Sequence, residues 1–202
     1  MILKILAYWS PVIKLWLIML LGMVGIYIIP TIVISQLFFY QKAEGSFISV
    51  NKQIIGSSLY GQQFDQNNYF WGRPSLTHYK SDLLAEKNIH WVGDVYWQNF
   101  LKKQQEFWHR YTDKIIPNEL LWPSSSQVDP HISIAAAQLQ IPRIKQARHI
   151  SASELNKLIA LNTEKPFLWL FGKTRVNVLE LNISLDNYGN NKHDKTFSRS
   201  IS

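Results

Sequence analysis

The 202-residue sequence contains no cysteine. That excludes a disulfide framework and any thiolate-held metal or cluster. No Gly-x-x-x-x-Gly-Lys-Ser/Thr stretch occurs, so a phosphate cradle of the P-loop type is missing. No Gly-x-Ser-x-Gly elbow occurs either. The six histidines, His78, His90, His109, His131, His149 and His193, form no metal pair at helical spacing. We therefore expect no metal, no cofactor and no catalytic residue in this chain. The formal net charge is +7, but Lys and Arg are scattered, with short clusters at Lys102-Lys103 and from Arg143 to Arg148. A basic run interleaved with a stacking platform is lacking, so nucleic acid is not an expected partner.

Charge is missing altogether from Leu15 to Gln41. The apolar part, Leu15 to Phe39, would span about 37 Å as a helix, enough to cross a hydrocarbon core of about 30 Å with tilt. A cleavable signal peptide has a shorter apolar core and small residues at its exit. Here the exit is Phe38-Phe39-Tyr40-Gln41-Lys42, so the segment reads as an uncleaved anchor. Pro30 interrupts it and predicts a kink. Gly22 and Gly25 share a face on which another helix could approach. Trp9 and Trp16 at one end, and Phe38, Phe39 and Tyr40 at the other, suit the two interfaces. The flanking lysines are nearly balanced, so orientation is weakly signalled. What remains is a short head, residues 1–14, and a larger C-terminal part.

The C-terminal part mixes helical and strand signals. Ser46 to Val50 and Gln53 to Ser58 predict a hairpin about Asn51-Lys52. Gly56 to Ser75 reads as a loop containing Tyr69-Phe70-Trp71 and Arg73-Pro74. Trp97, Phe100, Leu101, Phe107, Trp108 and Tyr111 keep helical spacing, predicting a helix from Asp94, as its cap, to Asp113, with Pro117 as a stop. Asp129-Pro130 predicts a helix start, with the helix running to about Gln140. Pro142 opens a further short helix to His149. Ser151-Ala152-Ser153-Glu154 is a capping box ahead of Leu155, Leu158 and Ile159, and Pro166 closes that helix. Arg175 to Asp186 is rich in β-branched residues and leucine, and predicts a strand with a bulge or with two buried faces. Residues 187–202 turn polar and read as a disordered tail.

Several residues admit two readings. His131 is either a general base held by Asp129 or a first-turn residue of a helix that Asp129 caps; the second uses the carboxylate as helix starts ordinarily do. Ser124-Ser125-Ser126 has no base fixed beside it by spacing, and reads as a solvated loop. Arg73 forms either a contact across an interface or a bond to carbonyls of its own domain. Tyr69, Phe70 and Trp71 suit a partner-binding hot spot or a core. Gln62 and Gln63 are ligand contacts or turn amides.

The ordered set of motifs resembles one family. Gln36-Leu37-Phe38-Phe39, Ala43 and Gly45-Ser46 come first, then Gly56-Ser57, Leu59, Gly61-Gln62, Phe64, Tyr69-Phe70 and Arg73-Pro74-Ser75. Asp129-Pro130-His131-Ile132-Ser133, Ala135 to Ala137, Gln140, Arg143 and Ala147-Arg148 follow. Thr163-Glu164, Arg175-Val176-Asn177-Val178-Leu179, Leu181-Asn182 and Leu185-Asp186 close the set. Together they resemble the C subunit of the bacterial Kdp potassium-transporting ATPase, from about residue 14 to 186. The chain departs from that pattern where the family has a Ser/Gly/Asn-rich loop after Arg-Pro-Ser, and in the turn before Asp129, here Trp122-Pro123-Ser124-Ser125-Ser126.

The resemblance implies an α+β protein: a single N-terminal transmembrane helix (15–39) after a cytoplasmic head (1–14), one mixed α/β extracytoplasmic domain (40–186), and the tail (187–202). It implies a single-pass protein of the bacterial inner membrane with a periplasmic C-terminal domain. It implies a non-catalytic accessory subunit in ATP-driven potassium import, one that raises the ATP affinity of the hydrolysing subunit as a catalytic chaperone. The implied partners are a channel-like potassium-translocating subunit, a P-type ATP-hydrolysing subunit and a small single-helix subunit, with ATP and potassium handled by those partners. The partner-binding residues expected are Gln62, Tyr69, Phe70, Trp71, Arg73 and Ser75, and the motif residues expected to be structural are Asp129, Pro130, His131, Arg143, Arg148 and Asn177. Two other readings stand beside this one: a free-standing membrane-anchored hydrolase using His131 and a serine, and a diverged copy without a pump partner.

Overall fold

A computed structural model of the chain describes residues 2–50, 52–80, 93–166 and 172–199. It divides into two units, residues 1–47 and 48–202. In the first unit, α1 (Ile2–Met23) runs through a π turn (Val24–Ile28) into α2 (Ile29–Phe38). A short α3 (Tyr40–Ala43) follows. The apolar span covers Trp9–Phe38, 30 residues with none of it buried, long and apolar enough to cross a membrane. At 1.5 Å per residue it measures about 45 Å, more than a hydrocarbon core of about 30 Å.

The expected kink at Pro30 takes the form of that π turn. Proline has no N–H, and its ring collides with the carbonyl four residues back. Widening the preceding turn relieves the collision, and the Ile29 amide instead reaches Val24, five residues back. Thr31 Oγ1 donates to the Tyr27 carbonyl at 2.6 Å, placing a side-chain donor in the disturbed turn.

β1 (Phe47–Val50), whose first residue closes the first unit, pairs with β2 (Gln53–Ser57) of the second as the expected hairpin. Asn51 lies outside the described residues, and Lys52 takes a left-handed φ of 64° in the turn. α4 (Asp94–His109) is the amphipathic helix that the aromatic spacing predicts. Its cap is Gly93 and not Asp94, which sits inside the first turn, where a carboxylate complements the helix dipole. α5 (Asn118–Leu121) follows.

The helix expected from Pro130 begins four residues late. β3 (His131–Ile132) comes first, and α6 (Ile134–Leu139) starts behind Ser133, whose Oγ accepts from the Ala136 amide at 3.1 Å. Asp129 does not cap it, because that carboxylate accepts from the His131 amide and from Arg73. His131 is thus a strand residue, not a first-turn one. α7 (Ile141–Arg148) and α8 (Ala152–Leu161) match their predictions, with both halves of the Ser151–Glu154 capping box formed. α8 ends before Pro166, and β4 (Thr163–Glu164) lies between them.

The strand expected over residues 175–186 is corrected. Only β5 (Arg175–Asn177) is extended, and α9 (Val178–Arg199) follows, running through positions that the composition reads as a disordered tail. Asn177 Oδ1 accepts from the Leu179 and Glu180 amides at 3.1 and 3.3 Å, capping the new helix. Once capped, Val178, Leu181 and Leu185 share one buried helical face. β5 is central in an antiparallel sheet of order β3-β5-β4, with His131 opposite Asn177 and Thr163 opposite Val176.

The core joins this sheet to the helices through Ile132, Ala136, Ile144, Leu155, Ile159, Val176, Leu181 and Leu185. Trp71 adds an aromatic cluster, its ring centroid 5.3–5.6 Å from those of Phe107, Trp108 and Tyr111. Because α9 is a helix, Leu181→Ala should cost about 2–5 kcal/mol, the range for emptying a buried leucine site. Ile183→Ala, on the partly exposed face, should cost under about 1 kcal/mol. Denaturant midpoints of the two variants in detergent check this; equal losses would restore the strand parity that puts both residues on one face.

Candidate functional site

Residues 58–80 have no strand neighbour, and where the chain is buried, at Gly61, Phe70, Trp71 and Thr77, its N–H and C=O groups need partners. Side chains from distant elements supply them. Asn182 on α9 accepts from the Phe70 amide at 2.8 Å and donates to the Phe70 carbonyl at 3.0 Å. Gln140, at the end of α6, does the same for Trp71, at 2.8 and 3.0 Å. Each amide occupies the place of a neighbouring strand, and the two adjacent residues are clamped from two helices. Gln140 also donates to the Ala136 carbonyl and accepts from Arg143, which fills every hydrogen-bonding position of its amide. It is 1% exposed.

The remaining ties continue the pattern. Asn177 Nδ2 donates to the Ser58 carbonyl at 2.8 Å, Arg143 to Asn67 at 2.6 Å and Arg148 to Asn68 at 2.7 Å. Gln127 Oε1 accepts from the Leu76 amide at 2.7 Å. One backbone bond, Gly61 to the Val128 carbonyl at 2.7 Å, crosses to the 123–129 segment. Gly61 is required there: a Cβ would stand 2.8 Å from the Asp129 carbonyl oxygen.

Charge reinforces the clamp. The Arg143 guanidinium lies 3.5 Å above the Trp71 ring, a cation–π contact. Burial lowers its pKa to about 10, which leaves it a cation at neutral pH. Arg148 pairs with Asp186 at 2.7 Å and covers the Tyr69 ring, while the Tyr69 hydroxyl donates to the same carboxylate at 3.0 Å. Burial, then the Asp186 contact, raises the Tyr69 phenol above its ordinary range. Arg73 donates to Asp129 at 3.2 Å and to the Pro123 carbonyl at 3.2 Å. Tyr79 donates its hydroxyl to the Arg73 carbonyl, and burial followed by the Asp129 charge holds that phenol well above its usual range.

The expected partner-binding residues therefore divide. Phe70 and Trp71 are core residues, and Tyr69 is tied inward. Gln62 donates to the Ile55 carbonyl, and Ser75 Oγ accepts from the Tyr79 amide. Arg73 makes its bonds within its own domain. What the loop presents outward is a cleft of about 400 Å³ against α4, lined by Gln63, Arg73 and Tyr79 on one wall and Phe100, Gln104 and Tyr111 on the other. Gln104, Gln127 and Asn182 are missed as site residues by the sequence reading. The tandem pairing of Phe70 and Trp71 with two buried amides is visible only once the chain is folded.

His131 shares its ring with two carboxylates, Nδ1 lying 3.3 Å from Asp129 and Nε2 3.5 Å from Glu164. Among the described residues no serine hydroxyl bonds that ring, and Ser124 and Ser126 face each other at 3.5 Å. The hydrolase arrangement finds no support there. No group of three His, Asp or Glu among the described residues is placed to hold a metal.

Residues 9–187 match the family described as KdpC, the K+-transporting ATPase c chain. A potassium-transporting ATPase KdpC subunit of Synechocystis sp. is 41% identical over 162 residues, covering 77% of this chain and 85% of that one. One from Geobacter sulfurreducens is 38% identical over 168 residues, covering 80% and 88%. One from Sorangium cellulosum is 35% identical over 189 residues, covering 90% and 98%.

Removing a clamp strands buried backbone groups. Asn182→Ala should cost about 2–4 kcal/mol, the penalty for leaving the Phe70 N–H and C=O unpaired. Asn156→Ala, an exposed asparagine bonded to its own helix, should cost under about 0.5 kcal/mol. Denaturant titration separates them, and a near-neutral Asn182→Ala would refute the clamp. Asp129 gives a pH signature. Its partial burial pushes its pKa up, but hydrogen bonds from His131 and the charge of Arg73 outweigh this and hold it below the ordinary carboxylate value. A lowered folded-state pKa stabilises above the unfolded value of about 3.9 and loses that contribution as pH falls through the folded value. Melting curves of Asp129→Asn should therefore show a shallower decline below about pH 4 than those of the parent.

Proposed function

The chain belongs to the KdpC family, the c chain of K+-transporting ATPases, and on that premise we propose that it is a non-catalytic accessory subunit whose job is docking. The observation that carries this reading is a convergence. Residues that bear the family likeness, Asp129, Gln140, Arg143, Arg148, Asn177 and Asn182, spend their polar atoms on one loop. A loop built to that degree presents a fixed surface. Fixed surfaces bind with less loss of conformational entropy than mobile ones.

In this reading the Trp9–Phe38 helix anchors the subunit in the bacterial inner membrane and the C-terminal domain lies on the periplasmic side. The partners are the channel-like potassium-translocating subunit, the P-type ATP-hydrolysing subunit and the small single-helix subunit. The cleft between the clamped loop and α4 receives a partner surface. ATP and potassium are handled by those partners, not by this chain. The chaperone effect on ATP affinity then acts at a distance. A subunit that binds one conformer of the pump more tightly shifts the pump toward it. A coupling of about 1–3 kcal/mol changes affinity for a second ligand several-fold.

Gln104→Arg and Arg73→Ala alter the cleft from its two walls. Each should lower co-purification with the channel-like and ATP-hydrolysing subunits by about tenfold or more, the loss of one good contact, while the circular-dichroism melt of the variant chain stays cooperative. Full assembly and unimpaired growth at low potassium by both variants would reject the reading, as would substrate turnover by the chain alone.

A further inference from the structure

Five titratable side chains stand in a row in which basic and acidic residues alternate. Arg73 meets Asp129 at 3.2 Å, Asp129 meets His131 Nδ1 at 3.3 Å, His131 Nε2 meets Glu164 at 3.5 Å, and Glu164 meets Arg175 at 2.8 Å. The row starts in the clamped loop, crosses β3 and ends on the β4–β5 pair. Four of its members are guanidinium or carboxylate side chains; the central one is an imidazole. A neutral imidazole carries one N–H and so donates to one carboxylate, leaving a lone pair against the other. An imidazolium donates to both. Two carboxylates flank opposite nitrogens, Asp129 at hydrogen-bond distance from Nδ1 and Glu164 at ion-pair distance from Nε2.

We propose that His131 is a proton-operated link: protonation joins the loop's Arg73–Asp129 pair to the Glu164–Arg175 pair, and loss of the proton uncouples them. This rests on the reading of the loop as a docking surface only for its consequence, which is pH-dependent presentation of that surface to the pump. The link itself belongs to the chain alone. Other groups facing the ring are accounted for. Glu180, in the first turn of α9, senses both His131 and Glu164; burial first, then the Glu164 charge, raises its pKa above the ordinary range. Tyr79, beside Asp129, stays protonated across neutral pH. On β5, the residue paired with His131 is the neutral Asn177.

The test uses the full-length chain in detergent, followed by amide hydrogen exchange of the loop from about pH 8 to about pH 5, the interval in which imidazoles take up a proton. Rates are divided by the intrinsic rate at each pH. In the parent, protection of the Gly61 and Leu76 amides should rise about threefold on acidification, the size of one exposed-to-half-buried ion pair. His131→Gln, which keeps donors but cannot titrate, should flatten the response. Glu164→Gln, at a more exposed position, should flatten it too, and decides the matter if the first variant fails to fold. A flat parent profile overturns the proposal, and so does retention of the response by either variant. Pump co-purification measured at both pH values is read separately, so a loop that responds without altering assembly would count against the docking reading while leaving the link intact.

Discussion

Everything in the C-terminal unit turns on how an unpaired stretch of backbone is satisfied. Residues 58–80 have no strand beside them, and where the segment turns inward, water cannot reach the N–H and C=O groups of the buried Phe70 and Trp71. Amide side chains replace the missing strand, because Asn and Gln carry a donor and an acceptor side by side, as a peptide group does. Two such amides on two helices hold two consecutive residues. The sheet is small, three strands of two or three residues, because much of the pairing that a larger sheet would supply is done by side chains.

This arrangement explains why core and surface roles meet in the same stretch. Phe70 and Trp71 bury their rings, and their backbones are held from behind. Arg143 both donates to the Asn67 carbonyl and covers the Trp71 ring. Arg148 likewise holds Asn68 and Tyr69 together while pairing with Asp186. The outer wall of the loop, with Gln63, Arg73 and Tyr79, takes its position from that inner frame.

Local signals were the legible ones. The capping box at Ser151, the aromatic period of α4 and the apolar span of the anchor depend on residues within a few positions of each other, and all three stand in the structure. Arg175 to Asp186 misled because β-branched content outweighed period. Its apolar residues change parity after Val178, which a strand does not do without a bulge, whereas Val178, Leu181 and Leu185 keep helical spacing behind an Asn177-x-x-Glu180 start. Asp129-Pro130 misled for a different reason: a carboxylate has two oxygens, and both were claimed by His131 and Arg73 before a helix could use them. The motif residues of the site were legible as an ordered set. Their convergence was not, since Asn182 and Phe70 lie 112 residues apart and Gln140 and Trp71 lie 69 apart.

The π turn ahead of Pro30 has a geometric effect on the anchor. One extra residue in a single turn rotates all that follows by about 100° relative to an uninterrupted helix. The stripe of side chains that faces a given direction below Val24 is therefore not continued by the residues at the same spacing above Ile28. A straight neighbouring rod that matched the lower stripe would lose it at the π turn. A protein seated along the whole length would have to coil around the helix, or else two different neighbours would divide it between them, one on each side of the π turn.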